Sequence, residues 1–460
     1  MKLNNQWRNH FHIEMAKGLV NDPNGLCCIN GEYKIFYQWN PAGCEHKNKH
    51  WGLVKTRDFV HYTKPRLVLK PDQPIDKDGC YSGTAVMLDQ QLHLFYTGNV
   101  KYDDVRIPHQ CMAVLDEKDE LKFKKALIVG MPNGYTAHFR DPFYFKMKDL
   151  HCLLLGIQNA DLKGRAVVYT SKDLKQWEFY GEVKTELEDF GYMWECPNLV
   201  SFNDADAFIF SPQGLKQEGL RYQNRYQSGY ILGHYDFMKN EFIHGDFYEL
   251  DHGFDFYAPQ VFTNENRTMM IAWMGMPDEE TSYPTAEDGY LYTLTLPREI
   301  TKSGNRLLQR PARELDQLRH QILLSKAESQ IKEFNFPLSQ TGIEIKLELS
   351  LQAKCECSFD FNGEELKLIF DPEKELLTLK KADFHYGKDA CRSMHIQGKQ
   401  LQLQMYLDTS VLEIFINDGE AVMSSLFYPL HELKAFKISS DQPFDMPACE
   451  IWQLKGIIYE

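Results

Sequence analysis

Three acidic residues, Asp22, Asp141 and Glu195, lie in short proline-containing segments: Asn21-Asp22-Pro23-Asn24-Gly25, Arg140-Asp141-Pro142 and Glu195-Cys196-Pro197. Carboxyl groups gathered in one pocket suit glycoside hydrolysis. The oxocarbenium-like transition state needs a carboxylate beside the anomeric carbon and an acid on the leaving oxygen. The neighbours suggest a division of labour. Glu195 follows Met193 and Trp194, and apolar surroundings or a nearby second carboxylate keep a carboxyl protonated to higher pH. Asp22 lies in a segment rich in backbone N–H donors, which favour the anion. Taken alone, that first segment reads as a turn, because Asn, Asp, Pro and Gly are the residues turns use. Its place in a repeat changes the reading.

Aromatic or apolar strand patterns end at Tyr37, Tyr96, Leu155, Phe210 and Trp273, which are 59, 59, 55 and 63 residues apart. A short motif precedes each strand. In order these are Asn21-Asp22-Pro23, Tyr81-Ser82-Gly83, Arg140-Asp141-Pro142, Glu195-Cys196-Pro197 and Tyr257-Ala258-Pro259. A third strand pattern follows in several units, as in Trp51 to Lys55, Ala166 to Tyr169 and Gly229 to Leu232. Five units of about four strands describe a five-bladed β-propeller over residues 1–305, and an irregular β-sandwich is the alternative. In a propeller the blade starts converge on one funnel, so carboxylates far apart in sequence become neighbours.

After Pro311, Leu315, Leu318 and Ile322 fall at helical spacing and predict a short amphipathic helix in a connecting segment, residues 306–328. Beyond it, Ile343 to Leu349 alternates strictly, and similar runs occur at Leu366 to Phe370, Leu401 to Leu407 and Val411 to Ile416. These predict a C-terminal β-sandwich over residues 329–460, so the fold class is all-β. No phosphate-cradling glycine loop, metal-ligand helix or Gly-x-Ser-x-Gly elbow occurs.

The net charge of −14 argues against a nucleic-acid or anionic-membrane partner. The stretch from Met1 to Gln6 has no apolar leader core, no later stretch is long and apolar enough to span a membrane, and eleven cysteines lack metal-site spacing. A cytoplasmic protein with reduced thiols is the expectation.

Asn21 to Gly25, Phe36 to Pro41, Trp51-Gly52, Tyr81-Ser82-Gly83, Arg140-Asp141-Pro142, Trp194 to Pro197, Phe256 to Gln260 and Trp273-Met274-Gly275 resemble segments of glycoside hydrolases of the invertase family, the β-fructofuranosidases, and the resemblance covers nearly the whole chain. Glu413 to Gly419 resembles that family's sandwich signature. The resemblance implies a retaining enzyme with Asp22 as nucleophile, Glu195 as acid/base and Asp141 as a transition-state stabiliser that binds fructosyl hydroxyls. It implies that Arg140 keeps Asp141 ionised, that Asn21, Gln38, Trp51, Tyr81, Ser82 and Trp273 line the fructose subsite, and that no metal or cofactor is needed. Departures are Leu19 and Val20, where the family often has an aromatic residue and methionine, and Leu53, where histidine is common.

The expected substrate is sucrose, its 6-phosphate, or both. His46-Lys47-Asn48-Lys49-His50 is basic and precedes Trp51, so Lys49 is the candidate phosphate contact. A fructosyltransferase using the same intermediate and a non-catalytic sugar-binding propeller are the alternatives. The second domain could stabilise the first, form a homodimer or bind sugar.

Overall fold

The computed structural model describes residues 6–103, 105–264, 267–279, 283–381 and 390–460; Met1 to Asn5, where a leader was sought, lie outside them. The chain is all-β. Four antiparallel meanders, drawn from residues 80–129, 135–182, 193–249 and 257–311, form blades of a propeller-like arrangement. An N-terminal sheet is built on Gly18–Ile29, Glu32–Asn40 and His50–Thr56. It gains two short parallel strands: Tyr290–Leu291 beside Gly18 and Leu19, and Ile458–Tyr459 beside His61 and Tyr62.

The apolar runs seen in sequence are the second strands of these sheets. Leu94, Phe95 and Tyr96, or Leu153, Leu154 and Leu155, are buried on both faces, as strands packed between neighbouring sheets must be. The chemistry-bearing motifs lie within strands of their own. Gly18–Ile29, Cys80–Leu88, Tyr135–Met147, Met193–Phe202 and Tyr257–Asn264 are the inner strands, and each meets the next, the last returning to the first. Asn21 to Gly25 is therefore part of an irregular strand, not a free turn. Pro23 fits there because the ladder is already broken between Val20 and Pro23.

In four of the five motifs the side chain one residue past the Pro or Gly laces the inner strands together. Asn24 Oδ1 accepts Gly83 N–H at 3.2 Å, and Thr84 Oγ donates to Pro142 O at 3.1 Å. Asn198 Nδ2 donates to Pro259 O at 3.0 Å. Gln260 donates to Gly83 O at 3.0 Å and accepts Leu26 N–H at 3.3 Å.

The expected connecting helix is a 3-10 helix of only Arg313–Leu318, burying Leu315 and Leu318. Ile322, its third apolar position, is instead 42 % exposed on the strand Arg319–Pro337. Only two of the three apolar positions find a core, so nothing holds the helix beyond Leu318. The limit expected at residue 305 falls inside the hairpin Arg298–Ser303 and Arg306–Pro311. The remaining strands form a sandwich-like sheet around Ala435–Leu454, which pairs with Cys355–Phe361 early in its course and with Ile343–Ser350 later.

A buried polar chain joins the two parts. Asp408 accepts His10 N–H, Phe11 N–H and His12 Nδ1 at 2.7, 3.0 and 2.9 Å. His12 Nε2 lies 3.1 Å from Glu413, which pairs with Arg298 at 2.6 Å, and Arg298 reaches Asp251 at 3.3 Å. Burial alone would lower the His12 pKa, but hydrogen bonds and charge from Asp408 and Glu413 outweigh it and raise the value to about 9. A raised folded-state pKa stabilises fully below the unfolded value near 6.5 and is lost as pH rises towards 9. His12→Gln should therefore cost about 3 kcal/mol at pH 6 and flatten the alkaline fall in stability, read by denaturant melts at pH 6 to 10. An unchanged pH dependence would refute the charged His12 bridge.

Candidate active site

Each inner strand breaks its ladder at the motif: between Val20 and Pro23, Cys80 and Gly83, Arg140 and Phe143, Glu195 and Asn198, and Tyr257 and Gln260. Three of these bulges pass through left-handed backbone, at Asp141, Cys196 and Ala258 with φ of 65°, 47° and 49°. Equivalent positions then form two rings of side chains. One contains Asn21, Tyr81, Arg140, Glu195 and Tyr257; the other contains Asp22, Ser82, Asp141, Cys196 and Ala258.

Asp22 is held by three donors. Asn21 Nδ2 reaches Oδ1 at 2.9 Å, while Gln38 Nε2 and Ser82 Oγ reach Oδ2 at 3.2 and 2.5 Å. Gln38 also donates to Ser82 and accepts from Asn21. The Cys196 thiol bridges the acids, 3.9 Å from Asp22 Oδ2 and 3.7 Å from Asp141 Oδ2. Asp141 accepts Cys196 N–H at 3.0 Å and gives its own N–H to Thr97.

Glu195 is the most heavily bonded of the three acids. Arg140 meets Oε1 through Nε and Nη2 at 2.8 and 2.7 Å, and Tyr257 and Gln213 donate to Oε2 at 2.6 and 2.8 Å. Burial pushes its pKa up, but Arg140 and the Tyr257 hydroxyl overcome this and hold Glu195 below the usual carboxylate range. Asp141 is the reverse: burial, aided by the charges of Glu195 and Asp22 against that of Arg140, raises it to about 7. Arg140 forms its ion pair with Glu195, while its charge also pulls the Asp141 pKa down, as expected. The acid with the raised pKa is Asp141, however, not Glu195 as its sequence neighbours suggested. The cause is strand alternation. Trp194 turns into the sheet core against Phe208 and Phe210, leaving Glu195 on the face of Arg140 and Tyr257.

Other predicted residues divide into ligand-facing and supporting groups. Trp273 is buried, and among the described residues its Nε1–H meets no hydrogen-bond acceptor. Tyr81 is partly exposed beside Ser82. Trp51 is fully buried and donates to Tyr81 O at 3.0 Å, supporting the pocket from behind. Lys49, expected at a phosphate, is 4 % exposed and its ammonium meets Asn21 Oδ1 and His46 Nδ1. It thereby turns the Asn21 amide so that Nδ2 faces Asp22. Leu19, Val20 and Leu53, the departures from the family pattern, are core residues. Sequence reasoning missed Tyr257, although it opens the fifth motif and matches Glu195 in phase. It also missed Gln213, which lies opposite Met193 on the next strand and carries no motif.

Residues 12–311 match the glycosyl hydrolases family 32 N-terminal domain, and residues 306–453 match the family 32 C-terminal domain. Sucrose-6-phosphate hydrolase of Bacillus subtilis is 41 % identical over 441 residues, covering 93 % of this chain and 91 % of that protein. The Staphylococcus xylosus sucrose-6-phosphate hydrolase is 37 % identical, covering 98 % and 93 %. Among solved structures, sucrose-6-phosphate hydrolase from Lactobacillus gasseri superposes with a TM-score of 0.89 at 31 % identity, covering 98 % of this chain and 94 % of that one. A Bombyx mori β-fructofuranosidase variant in complex with sucrose gives 0.82 at 28 %, covering 100 % and 96 %. These matches define a glycoside hydrolase, and the chain belongs to glycosyl hydrolase family 32.

Burial keeps the Asp141 carboxyl protonated up to about pH 7, so a reaction that draws on that proton should lose kcat/KM tenfold per pH unit above about 7. Arg140→Gln should move that limb to higher pH, since the guanidinium lowers both carboxyls. A limb unmoved by the substitution would place the essential proton elsewhere.

Proposed function

We propose that the chain is a retaining β-fructofuranosidase that hydrolyses sucrose 6-phosphate and sucrose, with Asp22 as nucleophile, Glu195 as acid and base, and Asp141 as the acceptor of fructosyl hydroxyl donors. The observation that carries this reading is the convergence of three carboxyls on one pocket: Asp22 oriented by Asn21, Gln38 and Ser82, Asp141 across the Cys196 thiol, and Glu195 held by Arg140 and Tyr257. Double displacement needs an attacker, a mobile proton and a group that holds the ring.

In this mechanism, fructosyl hydroxyls donate to Asp141 and stabilise its anion, and its proton passes to Glu195. Asp22 attacks the anomeric carbon, the bond to the glucosyl oxygen breaks, and Glu195 protonates that oxygen. Glu195 is now a carboxylate, held by Arg140, Tyr257 and Gln213. It takes a proton from the water that displaces Asp22, so β-fructose leaves with its configuration retained. Asn21, Gln38, Tyr81, Ser82 and the free Trp273 Nε1–H form the fructosyl subsite, and Trp51 and Lys49 brace it. The names of the relatives favour hydrolysis of sucrose 6-phosphate over fructosyl transfer.

The same reading takes the N-terminal sheet as a fifth blade, supported by the closed ring of inner strands. The catalytic unit then runs to Pro311 and the sandwich starts at Arg319. A cytoplasmic location is supported by the eleven cysteines, all of them free thiols.

Glu195→Ala should lower kcat/KM for sucrose 6-phosphate by about 10²- to 10⁴-fold, the usual worth of a positioned acid. It should affect far less the first turnover of a fructoside with an activated leaving group. Equal losses on both would remove Glu195 as the acid.

A further inference from the structure

The hairpin of Gln91–Tyr102 and Val105–Leu115 carries Arg106 into the wall of the carboxylate pocket. Its guanidinium lies 5.0 Å from the Tyr81 ring, and it feels the charges of Arg140, Asp141 and Glu195. Arg106 Nε donates to the buried Asn99 Oδ1 at 2.8 Å. Its Nη2 is buried without a hydrogen-bond partner, and among the described residues no carboxylate pairs with it. The second guanidinium of this wall, Arg140, is already committed to Glu195.

A partly buried guanidinium whose Nη2 meets no acceptor, beside another guanidinium, is costly, and such a group calls for an anionic partner. Burial and the nearby Arg140 both lower its pKa, the direction expected where positive charge is in excess. His138 adds a neutral donor. Its Nδ1 accepts from Arg140 Nη1 at 3.0 Å, which puts the ring proton on Nε2, and burial together with the two guanidinium groups lowers its pKa to about 4. Lys101 stands opposite Arg106 across the hairpin and adds charge of the same sign. In a chain of net charge −14, Arg106 and Lys101 bring positive charge to the wall of a pocket that already holds Arg140.

Glu195 addresses the leaving glucosyl oxygen, so the groups grouped with it through Arg140 face the leaving sugar. We propose that Arg106, with the Nε2–H of His138, receives the 6-phosphate of the leaving glucosyl unit and sets the preference for phosphorylated sucrose. This rests on the reading of Glu195 as the acid. The planar fork of arginine fits phosphate oxygens, and a neutral hydroxymethyl group would leave the charge uncompensated.

The test compares kcat/KM for sucrose 6-phosphate and sucrose in the wild type, Arg106→Gln and Arg106→Lys. Arg106→Gln should lower the ratio of the two by about 10- to 100-fold, the range of a charge-assisted hydrogen bond, and Arg106→Lys should restore part of it. Inhibition by glucose 6-phosphate should weaken by a similar factor in Arg106→Gln, a readout independent of the chemical step. A wild-type ratio near one would refute the phosphorylated substrate and this site together. A clear wild-type preference that survives Arg106→Gln would overturn the Arg106 assignment alone. An equal fall on both sugars would make Arg106 a support for Tyr81 and overturn it as well.

Discussion

Everything in this pocket depends on a break in hydrogen bonding at one equivalent place in each inner strand. A regular ladder would alternate side chains between the two faces of a sheet and send only some of them to the axis. The bulges re-aim two successive residues per strand inward, and left-handed backbone at Asp141, Cys196 and Ala258 completes the turn. Such conformations cost roughly 1–3 kcal/mol each in non-glycine residues and persist only where their surroundings over-determine them. The surroundings here are the lacing bonds of Asn24, Thr84, Asn198 and Gln260, which tie each strained segment to its neighbours' backbone.

That geometry has an electrostatic consequence. Three carboxyls around one thiol are too crowded to be equivalent, and the protein separates them by their partners. Asp22 is met by neutral donors, Glu195 by a guanidinium and a phenol, and Asp141 by one backbone N–H and much low-dielectric surface. In the proposed mechanism this arrangement suits Glu195 to be the base of the second half-reaction, and its acid role in the first half is reached when substrate hydroxyls draw the proton away from Asp141. One pocket would then serve both half-reactions through a proton that moves between two sites.

Much of this was legible in the sequence, for definable reasons. The second strands of the sheets carry continuous apolar runs such as Leu94 to Tyr96 and Leu153 to Leu155, and their spacing gives away the repeat. The alternating strands of the sandwich were equally plain. The inner strands were hidden because their Asn, Asp, Pro and Gly are turn residues by composition, and only the bulges reconcile them with a sheet. Ile322 mimicked a helical position because strand and helix periods coincide over a few residues. The partner of Arg140 could not be read, since Asp141 is adjacent in sequence while Glu195 is adjacent in space. Lys49 read as a phosphate contact within a basic run, but its hydrogen bonds to Asn21 and His46 give it an interior place.

The central claim is that the bulge of the first inner strand presents Asp22 as the nucleophile of a covalent mechanism. Intact-protein and peptide mass spectrometry of Glu195→Gln, mixed with an activated fructosyl donor such as a fructosyl fluoride, reads this directly. The account predicts one added fructosyl unit, located on the peptide containing Asp22 and absent when Asp22 is also changed to Asn. A fructosyl unit on Asp141, or α-fructose as the first product of the wild-type enzyme, would contradict it.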